Sequence, residues 1–146
     1  MKDIPNSSRR KFLKTGSTLS AGALLAAPHV ARAAKNDKML KIGLVGIGGR
    51  GSGAAAQAMN ADPNVALTAI GDLFEDRIKL RSRILKARGR AKYQVTEETT
   101  FTGFDAYKKV IDSGVDVVIL TTPPSFRPQH ASYAIEKGVH CFFEKP

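Results

Sequence analysis

Three glycines, Gly46, Gly48 and Gly51, stand in the register G-x-G-x-x-G within Lys41-Ile42-Gly43-Leu44-Val45-Gly46-Ile47-Gly48-Gly49-Arg50-Gly51. The chemistry this spacing serves is the binding of a pyrophosphate. The first glycine permits a tight turn out of a strand, the second lets backbone approach the phosphates, and the third lets the following helix pack closely on the sheet. The phosphate charge is then met by the unpaired N–H groups and positive dipole end of that helix. Asp72 follows about 20 residues later, the distance at which a carboxylate reaches the ribose hydroxyls of a dinucleotide. Asp72 is also placed to cap a helix starting near Phe74, and the two roles are compatible.

These residues need particular elements to hold them. Lys41 to Val45 reads as a short buried strand, Gly51 to Asn60 as an Ala-rich helix, and Val65 to Ile70 as a second strand that delivers Gly71-Asp72 to the sheet edge. A helix is expected from Phe74 to about Arg88, its apolar face made by Ile78, Leu80, Ile84 and Leu85, with Gly89 near its end. A short third strand is expected in the polar stretch that holds Tyr93, Val95 and Phe101. Then come a helix from about Asp105 to Asp112, a strand from Val115 to Thr121, a helix from about Pro128 to Lys137 closed by Gly138, and a strand from His140 to Phe143. This alternation predicts an α/β fold, a doubly wound parallel sheet of the Rossmann type over residues 34–146.

A carboxylate at position 72 accepts from both ribose hydroxyls of NAD and repels the 2′-phosphate of NADP, which favours NAD. Arg77, about a turn into the next helix, is the counter-argument, since it could reach a 2′-phosphate.

The N-terminal segment carries an address. Ser8-Arg9-Arg10-Lys11-Phe12-Leu13-Lys14 matches the twin-arginine export motif, Leu19 to Ala27 is a mild apolar region, and Ala31-Arg32-Ala33 is a small-x-small cleavage pattern. Residues 1–33 are therefore expected to be a signal peptide read by the twin-arginine export machinery, with delivery to the periplasm or outside the cell. The apolar stretch falls far short of the ~20 residues of a membrane span, so no stable insertion is expected.

The segment also carries half of the formal net charge of +10. Most of the remaining excess lies in one run from Arg77 to Lys92 that lacks interleaved aromatics before Tyr93. It reads as the solvated side of a helix, and nucleic acid is not an expected partner. Cys141 is the single cysteine, so no intrachain disulfide forms, and its apolar neighbours suggest a buried structural thiol. Met39, Met59 and the three tyrosines read as core or surface positions. No metal site is expected.

Together these residues resemble the N-terminal domain of the glucose-fructose oxidoreductase, inositol dehydrogenase and rhizopine-catabolism (Gfo/Idh/MocA) family, over about Met39 to Pro146. The resemblance rests on Gly46-Ile47-Gly48-Gly49-Arg50-Gly51, on Asp72, on the run from Val115 to Pro124 that includes Thr122-Pro123, and on Glu144-Lys145-Pro146. The last is similar to the family's active-site E-K-P.

The resemblance implies that Lys145 is catalytic. It would stand beside nicotinamide and substrate, its ammonium stabilising an oxygen whose charge changes as hydride moves. It implies further that Thr122 and Pro123 lie by the nicotinamide ribose, that His130 and Glu144 lie near the cofactor, and that Pro146 follows a cis peptide. Ser125-Phe126-Arg127-Pro128-Gln129 makes the spacing to His130 longer than in many cytosolic members and similar to an exported subgroup.

The family's acid/base Asp and His and its C-terminal α+β domain follow the E-K-P, so this chain is expected to be the N-terminal domain only and catalytically incomplete as given. The implied enzyme is an exported sugar or polyol oxidoreductase with a retained NAD. The same resemblance leaves open an NAD-dependent glycosidase, and the residues themselves leave open a non-catalytic nucleotide-binding module.

Overall fold

The computed structural model describes residues 38–144. The signal-peptide assignment for residues 1–33, and the assignments for Lys145 and Pro146, lie outside the described residues.

The elements run β1 (Leu40–Val45), α1 (Gly49–Ala61), β2 (Val65–Asp72), α2 (Glu75–Gly89), a single 3-10 turn (Arg90–Lys92), β3 (Thr100–Thr102), α3 (Ala106–Asp112), β4 (Val117–Leu120), α4 (Arg127–Glu136) and β5 (His140–Phe143). All strand pairs are parallel, in the spatial order β3-β2-β1-β4-β5. The order reverses between β1 and β4, and that reversal opens a crevice beyond the C-terminal strand ends. The doubly wound sheet read from the sequence is thus present.

Strand alternation divides the core between the two sheet faces. Ile42, Leu44, Leu67, Ile70 and Ile119 pack with Ala54, Ala55 and Met59 of α1 and with Ile78 and Leu85 of α2. Val45, Ala69, Val118 and Leu120 pack on the other face with Tyr107, Val110 and Ile111 of α3 and with Ala134 of α4. Leu67 and Ile70 share a face although three residues apart, because the β1–β2 register skips Thr68. That irregularity flips the side chains after it.

The helix ends have identifiable causes. Lys92 Nζ donates to Met59 O at 2.5 Å and Asp62 O at 2.7 Å, closing the last turn of α1 with a cation. Glu75 and Asp76 open α2 and Lys86 and Arg88 close it, both matching the helix dipole. The left-handed residue after α2 is Arg90, with φ 48°, and not Gly89. Gly89 serves packing instead, since a Cβ there would come within 2.6 Å of Met59 Sδ.

Several expectations need correcting. Leu80 is exposed, so the apolar face of α2 is carried by Ile78 and Leu85 with Ile84 half-buried. The expected short third strand is present at the Phe101 end of its stretch, as β3. Tyr93 makes only an isolated bridge to Leu67, and β3 pairs with Ile70 to Asp72. β5 is an edge strand, with Phe142 and Phe143 about half exposed and Cys141 half-buried. Partial burial still pushes the Cys141 thiol pKa up.

Candidate functional site

The crevice between the ends of β1 and β4 is a cleft of about 380 Å³. Each fingerprint glycine has a distinct geometric reason to be glycine. Gly46 has φ +92°, and a Cβ on it would crowd the Thr121–Thr122 peptide at 3.0 Å. A Cβ on Gly51 would lie 2.0 Å from Gly46 O and 2.5 Å from Thr121 Oγ1, so α1 crosses the strand end at a separation only glycine permits. Around Gly48 there is no heavy atom within 4 Å of an added Cβ. Protein packing therefore does not demand this glycine, and the open space beside it faces the cleft that Gly48 lines.

Gly48 is also the N-cap of α1. It provides no side-chain cap, and the first turn carries no acid. The N–H groups that most helices satisfy with a Ser or Asp cap are left for an anion from outside. The turn that presents them is braced. Ser52 Oγ donates to Gly48 O and Ile47 O, and Thr121 Oγ1 donates to Gly46 O at 2.6 Å and Val45 O at 3.1 Å.

Asp72 ends β2, is buried, and lines the same cleft. Its Oδ2 accepts the Ile47 N–H at 2.7 Å and its Oδ1 accepts the Phe74 N–H at 3.0 Å. The carboxylate thus ties the glycine turn to the loop before α2. The residue at the N-cap of α2 is Phe74, so Asp72 contributes a turn bond two residues ahead of the helix. Each oxygen retains acceptor capacity for a further donor. Leu73, Phe74 and Arg77 continue the wall, the Arg77 guanidinium lying 4.8 Å from the Phe74 ring centre. Phe104 and Phe126, both exposed, extend the apolar rim.

The opposite wall is Thr121, Thr122, Pro123, Arg127 and His130. His130 is buried, its ring stacked 4.1 Å from that of Tyr107, with Nδ1 3.2 Å from Thr122 Oγ1. Burial lowers its pKa below the ordinary 6.5, so the imidazole is neutral at pH 7. Gln129 Nε2 donates to Tyr107 Oη at 3.1 Å, fixing the outer edge of the stack.

Of the residues singled out from sequence, Gly46, Gly48, Asp72, Thr122, Pro123 and His130 line the cleft. Ile47 is a core residue beneath it, and Gly51 is buried in the helix–strand contact. Gly49 and Arg50 begin α1 on its exposed side. The Arg50 guanidinium extends to the buried Glu144 carboxylate at 2.8 Å.

Three contributors escaped the sequence reading. Tyr107 lines the cleft as well as the core, Thr121 pins the glycine turn, and Arg127 bonds the carbonyls of Thr122 and Glu144. Only the Thr-Thr pair ending an apolar run hinted at the second of these. Among the described residues no cluster of three or more His, Cys, Asp or Glu is placed to hold a metal, and no helix is long and apolar enough to cross a membrane.

Comparison with known proteins agrees with this geometry. Residues 40–146 match the family model GFO_IDH_MocA, described as an oxidoreductase family with an NAD-binding Rossmann fold. A glycosyl hydrolase family 109 protein from Bacteroides fragilis is 30% identical over 110 residues, covering 74% of this chain and 22% of that protein. A glycosyl hydrolase family 109 protein from Solibacter usitatus is 28% identical over 151 residues, 98% of this chain and 34% of the relative. The chain thus spans about a quarter to a third of these relatives. Among solved structures, scyllo-inositol dehydrogenase from Lactobacillus casei with bound NAD(H) and scyllo-inositol shares the fold at TM-score 0.59 and 24% identity, over 75% of this chain and 28% of that one.

Proposed function

The chain belongs to the Gfo/Idh/MocA oxidoreductase family, as its NAD-binding Rossmann domain, and from that premise we propose that it is the cofactor-binding part of an exported enzyme acting on a sugar or polyol hydroxyl. The observation that carries the proposal is the uncapped start of α1 at Gly48, open to a cleft whose far wall is Asp72. NAD, when bound, supplies a hydride acceptor for the carbon bearing the substrate hydroxyl. The backbone N–H groups at the start of α1, from Gly48 to Gly51, would hold its pyrophosphate, and Asp72 would accept from the adenosine ribose hydroxyls. Thr122, Pro123 and His130 border the nicotinamide side, whereas the expected cofactor residue Glu144 is buried with its carboxylate paired to Arg50. The neutral imidazole of His130 offers a hydrogen bond without adding charge there.

NAD is preferred over NADP because Asp72 sits where a 2′-phosphate would place further negative charge. Arg77 moderates that preference from the same wall. Lys145, directly after Glu144, supplies the ammonium that stabilises the reacting oxygen. Export by the twin-arginine route carries folded protein, so NAD is loaded before export and retained. Retention requires that the cofactor be reduced and reoxidised on one protein.

The relatives named glycosyl hydrolase family 109 favour a second reading, in which the substrate is a glycoside and the glycosidic bond is cleaved with no net change in the cofactor. One experiment separates the two. The full-length gene product is incubated with polyols, free sugars and nitrophenyl glycosides, following NADH absorbance and nitrophenolate release together. Net NADH or coupled reduction of a second sugar supports the oxidoreductase. Nitrophenolate without net NADH supports the glycosidase. Neither signal, with NAD bound, leaves a nucleotide-binding module and defeats both.

A further inference from the structure

We propose that Arg127 is a positioning residue that sets the peptide leading into Lys145 by clamping the ends of two adjacent strands. The proposal rests on the reading of Lys145 as the group that faces the substrate. Arg127 is the first residue of α4, half-buried in the cleft wall and preceded by the turn in which its own N–H bonds Pro124 O at 3.3 Å. From there its guanidinium reaches two carbonyls. Nε donates to Thr122 O at 2.6 Å, and Nη1 donates to Glu144 O. Thr122 follows β4 and Glu144 follows β5.

The paired residues of these strands end at Leu120 and Phe143, and the last ladder bond is the Glu144 N–H to Leu120 O at 3.4 Å. Past that bond, no backbone hydrogen bond joins the two strand ends among the described residues. Arg127 joins them there instead. Its planar fork meets two carbonyls in a fixed relative geometry, which the single rotatable ammonium of lysine does not reproduce.

The Glu144 carbonyl belongs to the planar peptide unit shared with residue 145, so holding that oxygen fixes the orientation of the unit. The Glu144 side chain is held separately by Arg50 from the start of α1. The residue before Lys145 is therefore pinned at carboxylate and carbonyl from two helices. On the other arm, the fixed Thr122 carries the hydroxyl that meets His130 Nδ1. Arg127 thus sets both strand ends on the side of the cleft opposite Asp72.

The test is acylation of lysines in the full chain by a water-soluble amine-reactive ester, read at Lys145 by mass spectrometry with and without saturating NAD+. NAD+ affinity is measured by calorimetry in parallel. In the wild type, NAD+ should slow Lys145 acylation by roughly tenfold, equivalent to about 1.4 kcal/mol. In Arg127→Gln, with NAD+ raised to saturate the variant at whatever Kd calorimetry gives it, that protection should fall below about twofold.

Arg127→Lys keeps the charge without the fork and should lose at least half of the protection. It decides the matter should Arg127→Gln fail to fold. Undiminished protection in Arg127→Lys overturns the clamp, as does undiminished protection in a folded Arg127→Gln. Absence of protection in the wild type is a different failure: the Lys145 reading falls, and this proposal with it.

Discussion

Replacing Asp72 by alanine removes one side chain but strands two backbone donors. The Ile47 N–H, 2.7 Å from Oδ2, is buried, and the Phe74 N–H, 3.0 Å from Oδ1, is partly buried. Hydrogen bonds to a charged acceptor are worth about 1.5 to 3 kcal/mol each, and an unsatisfied buried donor has few alternatives. The lower end for both gives a destabilisation of about 3 kcal/mol, or a fall in Tm of about 12 °C or more for a domain of this size. Asp72→Asn keeps one oxygen acceptor and should lose about half as much.

If the carboxylate also accepts from ribose hydroxyls, NAD+ affinity falls in Asp72→Ala by a further 1 to 3 kcal/mol or so, about 5- to 150-fold in Kd. Thermal melts followed by calorimetry, at a temperature where both proteins are folded, separate the two effects. A Tm within about 3 °C of the wild type would refute the bracing role derived from the two bonds. A lowered Tm with unchanged Kd would leave Asp72 a brace and remove it from the cofactor site.

Gly48→Ala should leave Tm nearly unchanged and weaken NAD+ binding, whereas Gly51→Ala should lower Tm by several degrees, since its Cβ would meet Gly46 O at 2.0 Å; equal behaviour of the two in melts would contradict the division of roles. The lowered His130 pKa favours the neutral form in the folded chain, so its contribution to stability is present above the unfolded value of 6.5 and is lost as pH falls from there through the folded pKa. Wild-type Tm should therefore drop more steeply below pH 6.5 than that of His130→Gln; parallel curves would assign the acid sensitivity elsewhere. Replacing Arg9 and Arg10 with lysine should leave the protein cytoplasmic with residues 1–33 uncleaved, as fractionation and mass spectrometry would show, and continued export would undercut loading of NAD before translocation. Lys145→Ala should barely change NAD+ affinity of this chain but cut kcat of the full-length enzyme by roughly 10²-fold or more, and wild-type turnover would remove the lysine from the chemistry.

The sheet was legible wherever a strand is long and apolar. β1, β2, β4 and β5 coincide with apolar runs, and the glycine register and Asp72 point to one crevice because local spacing there is dictated by backbone sterics. β3 was legible only as a short strand somewhere between Tyr93 and Phe101, since its exact place is set by pairing with Ile70 to Asp72, a partner remote in sequence. The exposure of β5 was hidden for the same reason, as edge or centre is a property of strand order and not of Val139 to Phe143. Leu80 fits an apolar helical stripe by spacing but falls just beyond the strip that α2 lays on the sheet. Arg127 entered the sequence reading only as part of a spacing, and Tyr107 only as one of three tyrosines at core or surface positions. Their roles depend on carbonyls and a ring brought to them by the fold.

The central claim, that the crevice between β1 and β4 holds NAD, is tested most directly by mapping backbone amide shifts of the isotope-labelled chain as NAD+ is added. The account predicts saturable shifts at Gly48, Gly49 and Arg50, at Leu73 beside Asp72, and at Thr122 and His130 on the opposite wall, weaker with NADP+. Shifts confined to a separate groove between α2 and β3, lined by Lys86, Tyr93 and Thr100, or no saturable shift at millimolar NAD+, would contradict it.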